Sequence, residues 1–200
     1  MNSQLVLHDK IQDDAWQVIE LPAIEMEIKK QAGKVVQFKL TGEDYPTQKQ
    51  IEDTVVPEKG HLILPLKVFL HHKEALDQRL KLGEIAIWIY THEEIEKNLD
   101  NGDSLNQFPL IAIKTEKFAD GRIFSIAARI RNKFHFKNDL RAMGDVLKDQ
   151  LYFLKRVGFS SYMIRADRNV NDAISSLKDF SDPYQGAYDL KEPVWRRKNR

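Results

Sequence analysis

The sequence predicts an α/β fold, with alternating strand–helix units around a mainly parallel sheet and an irregular, β-containing N-terminal arm. The sheet is either open or curled into a partial barrel. Three observations lead there. Between Leu62 and Phe180, short apolar runs alternate five times with helical patterns. The runs are apolar on both faces, Ile85-Ala86-Ile87-Trp88-Ile89-Tyr90 most plainly, as strands covered by helices require. Two of the helical patterns open at glycine-marked turns, Asp120-Gly121-Arg122 and Gly144-Asp145. The chain therefore divides into an arm over 1–60, an α/β domain over 61–180 and an extended, basic tail over 181–200.

In chain order, Leu5–His8 reads as a short strand, and Trp16, after the acidic pair Asp13-Asp14, as an anchor for the arm. Gly33–Leu40 alternates as a strand and Thr41–Pro46 reads as a turn. Lys49–Lys59 is polar and reads as a mobile loop. Leu62–Leu70 is a β-rich apolar run in which Pro65 suits an edge or a bulge. A helix over His72–Leu82 stops at Gly83, and the Ile85–Tyr90 strand follows. Thr91 and Glu94 have capping-box spacing for a short helix over His92–Leu99, and Asn101-Gly102-Asp103 reads as a turn. Leu110–Ile113, Leu140–Met143 and Ser161–Arg165 are the remaining strands. The helix after Asp120 puts Ile123, Ala127 and Ile130 on one face. The next, capped by Asp145, carries Leu147, Leu151 and Leu154 and stops at Gly158; the last spans Asn169–Phe180.

With 42% apolar and 30% charged residues, the chain can bury a full core. No apolar run approaches the roughly 20 residues that span a bilayer, and no secretory leader pattern is visible, so a cytoplasmic location with no membrane partner is expected. Cysteine is absent, which excludes disulfides, thiolate metal ligands and cysteine nucleophiles. Residues 1–100 hold 12 Lys/Arg against 18 Asp/Glu, and residues 101–200 hold 19 against 12. That asymmetry suits an anion-handling C-terminal half, association of copies through opposite faces, or simply two solvated surfaces of differing sign. The basic residues are not interleaved with a row of aromatics, so nucleic acid is not an expected partner.

Parallel strands place ligands at their carboxyl ends, where both glycine turns and Arg165 fall. Gly121 would permit close backbone approach at a helix N-terminus, and Arg122 would add charge for an anion. Asp145 and Asp149 share a helix face and are candidate acid–base groups if desolvated, with Arg122, Arg141 or Arg165 as neighbouring cations. The same residues serve equally as caps and loop braces. No dinucleotide or P-loop glycine fingerprint occurs, and nothing around Ser125 matches a nucleophile elbow. The adjacent pair His71-His72 lacks a third residue at ligand spacing, so no metal site is expected, and the cofactor stays unassigned.

Several stretches resemble one bacterial family, the domain of unknown function 934 family. They are Trp16 after its acidic pair, Leu110–Ile113, DGRIFS at 120–125, LRAMGDVLKDQL at 140–151 and RVGF at 156–159. The resemblance covers residues 60–180 and, more loosely, the arm. It singles out Asp120, Gly121, Arg122, Ser125, Arg141, Gly144, Asp145, Asp149 and Gln150. Members are labelled oxidoreductases of sulfite reduction because their genes lie beside those for sulfite reductase. The resemblance thus implies an accessory role in assimilatory sulfite reduction, with sulfite reductase or a related sulfur-assimilation protein as partner. This chain departs from the family pattern at Ile123, at Asn138-Asp139 and at Val157, where the family has a cysteine, so a thiol mechanism is excluded here. Two other functions stay open: an enzyme acting on a phosphorylated or carboxylated small molecule, with Asp145 or Asp149 as base, and a non-catalytic, self-associating interaction module.

Overall fold

The computed structural model describes residues 4–23, 45–99 and 102–197. The strand expected over Gly33–Leu40, the turn through residue 44 and Asn101 lie outside the described residues. Eight strands form one sheet: β1 (Leu5–Leu7), β2 (Lys10–Gln12), β3 (Trp16–Val18), β4 (His61–Pro65), β5 (Ile85–Tyr90), β6 (Leu110–Thr115), β7 (Asp139–Gly144) and β8 (Ser161–Met163). Their spatial order is β2-β1-β8-β7-β6-β5-β4-β3. Strands β3 to β8 are mutually parallel, while β1 runs antiparallel to both β2 and β8. The expectation of a mainly parallel sheet is thereby corrected: the sheet is mixed, parallel through its middle. The cause is the N-terminal segment, which folds into a hairpin on the outer edge of β8 and then supplies β3 at the opposite edge, so it is part of the sheet.

From β3 to β8 each strand lies beside its predecessor, with no reversal. Right-handed crossovers then put every helix on one face. That order belongs to a barrel-like winding, since a doubly wound sheet needs a switch point. The arm shows how far the sheet curls. In a flat sheet β2 and β3 would sit about 34 Å apart, at about 4.8 Å per strand. Only Asp13, Asp14 and Ala15 separate Gln12 from Trp16, a reach of at most ~15 Å. The sheet therefore bends into a half-barrel.

The helices α1 (Gln48–Asp53), α2 (Leu66–His71), α3 (Lys73–Lys81), α4 (Ile95–Asn98), α5 (Gly102–Leu105), α6 (Arg122–Asn132), α7 (Lys148–Arg156) and α8 (Val170–Ser176) accompany the strands. The main core packs Leu62, Leu64, Ile87, Ile111, Ile113, Leu140 and Ala142 against Phe69, Leu76, Ile123, Ala127, Ile130, Leu151 and Leu154 from the helices. The concave face has its own apolar cluster, Ile63, Ala86, Trp88, Leu110, Ala112 and Met143, onto which Trp16, Val18 and Leu21 of the arm pack. None of the helices among the described residues is long and apolar enough to cross a membrane.

Several local expectations are corrected. Lys49–Lys59 is not a loop throughout. Thr47 and Gln50 form a reciprocal capping box, and the helix they start buries Ile51. The run Leu62–Leu70 is strand only as far as Pro65. There it turns directly into α2, which buries Leu66, Val68 and Phe69; an unbroken apolar run fits a buried helix as well as a strand. Gly102–Leu105 is a helical turn. The capping box expected from Thr91 and Glu94 is not formed; α4 has Glu94 at its cap without a side-chain bond. Asp145 does not cap α7, whose cap residue is Leu147. The tail does not trail away: Tyr188 N bonds Arg156 O, Asp189 pairs with Arg156 at 2.6 Å, and Val194–Arg196 forms a 3₁₀ turn.

The charge asymmetry between the halves has an internal outlet. Acidic residues of the arm pair with basic residues of the C-terminal half: Asp9 with Lys155, Asp14 with Arg141 and Glu20 with Lys114.

Candidate functional site

At the carboxyl end of β6 the chain turns through Asp120. Its carboxylate accepts from Thr91 Oγ1 at 2.5 Å, from Arg122 N at 3.1 Å, and from Arg122 Nε and Nη2 at 2.9 Å each. Burial alone would raise its pKa, but the bonds from Arg122 and Thr91 and the Arg122 charge outweigh that and hold it at about 2. Gly121 follows with φ −67° and ψ −8°, a backbone any residue adopts, and a Cβ there would meet nothing within 4 Å. Neither the turn nor the packing needs glycine at this position. Ser125 lies one turn into α6 and faces solvent.

One strand further on, Gly144 is a glycine of the other kind. Its φ is +94°, and a Cβ would sit 2.1 Å from Thr115 O. The turn it allows brings Asp145 N to Thr115 O at 2.8 Å. The Asp145 carboxylate accepts from Phe118 N at 2.9 Å and Arg165 Nη1 at 2.6 Å, and the Arg165 bond holds its pKa below the usual range. Arg165 also forks onto Asp167 at 2.9 and 2.5 Å. Gln150 is buried, and its amide donates to Phe118 O at 2.9 Å. The loops after β6, β7 and β8 are thus laced together by Asp145, Gln150 and Arg165.

The expected residues fall into three places. Asp120, Gly121, Arg122 and Ser125 form the β6–α6 shoulder. Gly144, Asp145, Gln150 and Arg165 form the adjoining brace, with Asp149 exposed beside a ~320 Å³ cleft shared with Arg168 and Asp172. Arg141 is elsewhere, on the concave face, with its side chain 2% exposed. It bonds Asp14 at 2.8 Å and Ser161 Oγ at 3.1 Å, with Asp139 at 3.5 Å.

Sequence reasoning missed the end of β5. Glu93 turns back so that its Oε2 accepts from Tyr90 N at 2.9 Å, and it is buried. Tyr90 stacks on His92, and its phenol is pushed up to about 12 by burial and then by Glu116, Glu20 and Glu93. On the concave face Lys114 pairs with Glu20 and lies 4.8 Å from the Trp88 ring centre. The available signal was a charged residue near the end of an otherwise apolar strand, at Lys114, and an acidic pair shortly after the end of β5, at Glu93-Glu94.

A model of the family described as "Bacterial protein of unknown function (DUF934)" matches residues 86–195. The chain belongs to this family. No curated protein and no solved structure matches it. The family match begins at Ala86 in β5, so it takes in Thr91, Glu93, the Asp120–Ser125 shoulder and the Asp145–Arg165 brace. It leaves out Asp14, Glu20 and Lys67.

Proposed function

We propose that this protein is a cytoplasmic accessory factor of assimilatory sulfite reduction, docking sulfite reductase or a related sulfur-assimilation protein on the Asp120–Ser125 shoulder. The observation that carries the reading is Gly121, a glycine that the fold does not require, set between a rigid Asp120–Arg122 pair and the exposed Ser125. A side chain there would cost the fold nothing and would hold an incoming backbone away. The charges beside it are compensated in pairs, Arg122 by Asp120 and Arg165 by Asp145 and Asp167. A surface balanced in this way suits a polar protein segment better than a strongly charged anion. The pathway rests on the family resemblance.

The test is genetic. A deletion strain is expected to grow on cysteine and poorly on sulfate, and a Gly121→Trp gene is expected not to rescue it although the purified variant melts like the wild type. Equal growth of the deletion strain on both sulfur sources rejects the pathway. Full rescue by Gly121→Trp rejects the surface.

A further inference from the structure

A ~660 Å³ cleft lies at the amino ends of β7 and β8, the opposite end of the sheet from the docking shoulder and independent of it. The β1–β2 hairpin turn, the last turns of α6 and α7, the lead-in to β7 and the tail all contribute to its wall. Gly158 lets them converge. Its φ is +107°, and a Cβ there would sit 2.6 Å from Arg131 Cγ and 2.9 Å from Tyr188 Cδ1. Barrel-like folds carry out reactions at the carboxyl ends of their strands, so this amino-end cleft is a place for binding rather than reaction.

Every carboxylate on the wall has a partner cation. Asp9 pairs with Lys155 at 2.7 Å and Asp189 with Arg156 at 2.6 Å. Asp139 faces Arg141 at 3.5 Å and accepts from the Ser160 and Ser161 hydroxyls. Two of the wall's cations have no such partner. Arg131 is buried and donates to the carbonyls of Gly158, Phe136 and Asn138, yet among the described residues no carboxylate lies within salt-bridge distance of it. Those carbonyls, and the Phe136 and Tyr188 rings centred 5.3 Å away, make its burial tolerable without cancelling its charge. Lys137 is exposed, and its ammonium has no partner among the described residues. Arg141 serves both Asp14 and Asp139, so one carboxylate charge is left over against these two cations, and the cleft is net positive before His8 is counted. Folding accounts for Arg131, which ties α6 to the loops before β7 and β8. A brace of that kind would be better served by an acid at the rim, and the rim instead adds Lys137 and His8.

We propose that this cleft binds a small phosphate monoester. Lys137, Lys155 and His8 contact the phosphate, and Arg131 adds its charge from within the wall. Lys137 and His8 are exposed and the Lys155 side chain is 32% exposed, so a ligand can touch all three. Lys155 keeps two N–H donors beyond its bond to Asp9, and Lys137 keeps three. The donors come from separate elements, which suits a tetrahedral group with three acceptor oxygens and a charge of about −1.5 to −2 at pH 7 better than a planar carboxylate with two oxygens. The Tyr188 ring is already engaged by Arg131 and Lys191, so charge, and not ring stacking, holds the ligand. The volume falls within the ~300–1,000 Å³ of small-molecule clefts and exceeds what a phosphate group alone would fill, which leaves room for the organic part of the ester.

Isothermal titration of the full chain with ribose 5-phosphate tests this, against inorganic phosphate, ribose and acetate. Ribose 5-phosphate is expected to bind at least roughly tenfold more tightly than each of the three, and Lys137→Ala and Lys155→Met each to weaken it roughly tenfold. Lys148→Ala, at the far end of α7, removes the same charge away from the cleft and is expected to leave binding unchanged. In wild-type protein the His8 ring resonances are expected to move on addition of ribose 5-phosphate and those of His71 to stay; this holds the test open should a variant misfold. No binding of ribose 5-phosphate at about ten millimolar, equal binding of inorganic phosphate, ribose or acetate, equal weakening by Lys148→Ala, or a His8 signal that stays still overturns the proposal.

Discussion

Asp14→Asn should be among the most damaging single-atom changes in this protein. Arg141 is a buried guanidinium whose closest carboxylate is Asp14, at 2.8 Å. The substitution keeps the size and removes the charge. What remains is Asp139 at 3.5 Å, whose oxygens already accept from the Ser160 and Ser161 hydroxyls. Breaking a buried pair costs about 3–5 kcal/mol when the survivor has no other partner. With Asp139 still in reach the expected loss is about 3 kcal/mol. At ~2–4 °C per kcal/mol for a chain of this size, the Tm should fall by about 6–12 °C. Urea unfolding followed by tryptophan fluorescence measures it directly, since Trp16 and Trp88 both pack on the concave face that Asp14 ties down. The loss should change little with added salt, because the pair is buried. A second substitution, Arg141→Met, should recover part of it by removing the stranded charge. A single Asp14→Asn variant within about 0.5 kcal/mol of wild type would show that the pair does not hold the arm in place.

The two glycines of the carboxyl edge should behave oppositely. Gly144→Ala forces a Cβ against Thr115 O at positive φ and should cost about 3 kcal/mol or more, whereas Gly121→Ala should be neutral or stabilise by about 0.4–1 kcal/mol; thermal melts of both decide it. Asp120 has a folded pKa of about 2 against an ordinary 3.8, so its contribution, roughly 2 kcal/mol, is complete above pH 4 and lost as pH falls through 2. The stability gap between wild type and Asp120→Asn should therefore close between pH 4 and 2, and a gap that stays constant there refutes the assignment. Gln150→Leu strands Phe118 O and should cost about 1–2 kcal/mol by urea titration.

What could be read from the sequence was local. The five strand–helix alternations, the stops at Gly83 and Gly158 and the apolar stripe of α6 follow from periodicity and turn chemistry over a few residues. What could not be read was set by partners far along the chain. Arg141 looked like an edge residue because its counterion lies 127 positions away. Gly121 and Gly144 sit in similar turns, yet only contact with Thr115, from the neighbouring strand, separates a required glycine from an unrequired one. Asp145 has the composition of a cap, but the nearby Phe118 amide and Arg165 claim its carboxylate before the helix begins. Leu66–His71 continued an apolar run with no marker except Pro65, so strand and helix were equally legible there. Glu93 drew no attention because burial, which gives it its chemistry, is a property of the folded turn.

The pairing of β1 with β8, Leu5 opposite Met163, has a bearing on biosynthesis. Of the described strands, β1 is made first and waits for β8, made last. At about 5–20 residues per second, the intervening segment takes on the order of ten to thirty seconds to make. Until then β1 is paired with β2 alone and lacks its β8 partner on the other flank. A nascent chain halted before Ser161 would carry that exposed flank, a feature that chaperones and proteases can recognise. The closing of β1 onto β8 thus separates a chain that has reached β8 from one halted before it.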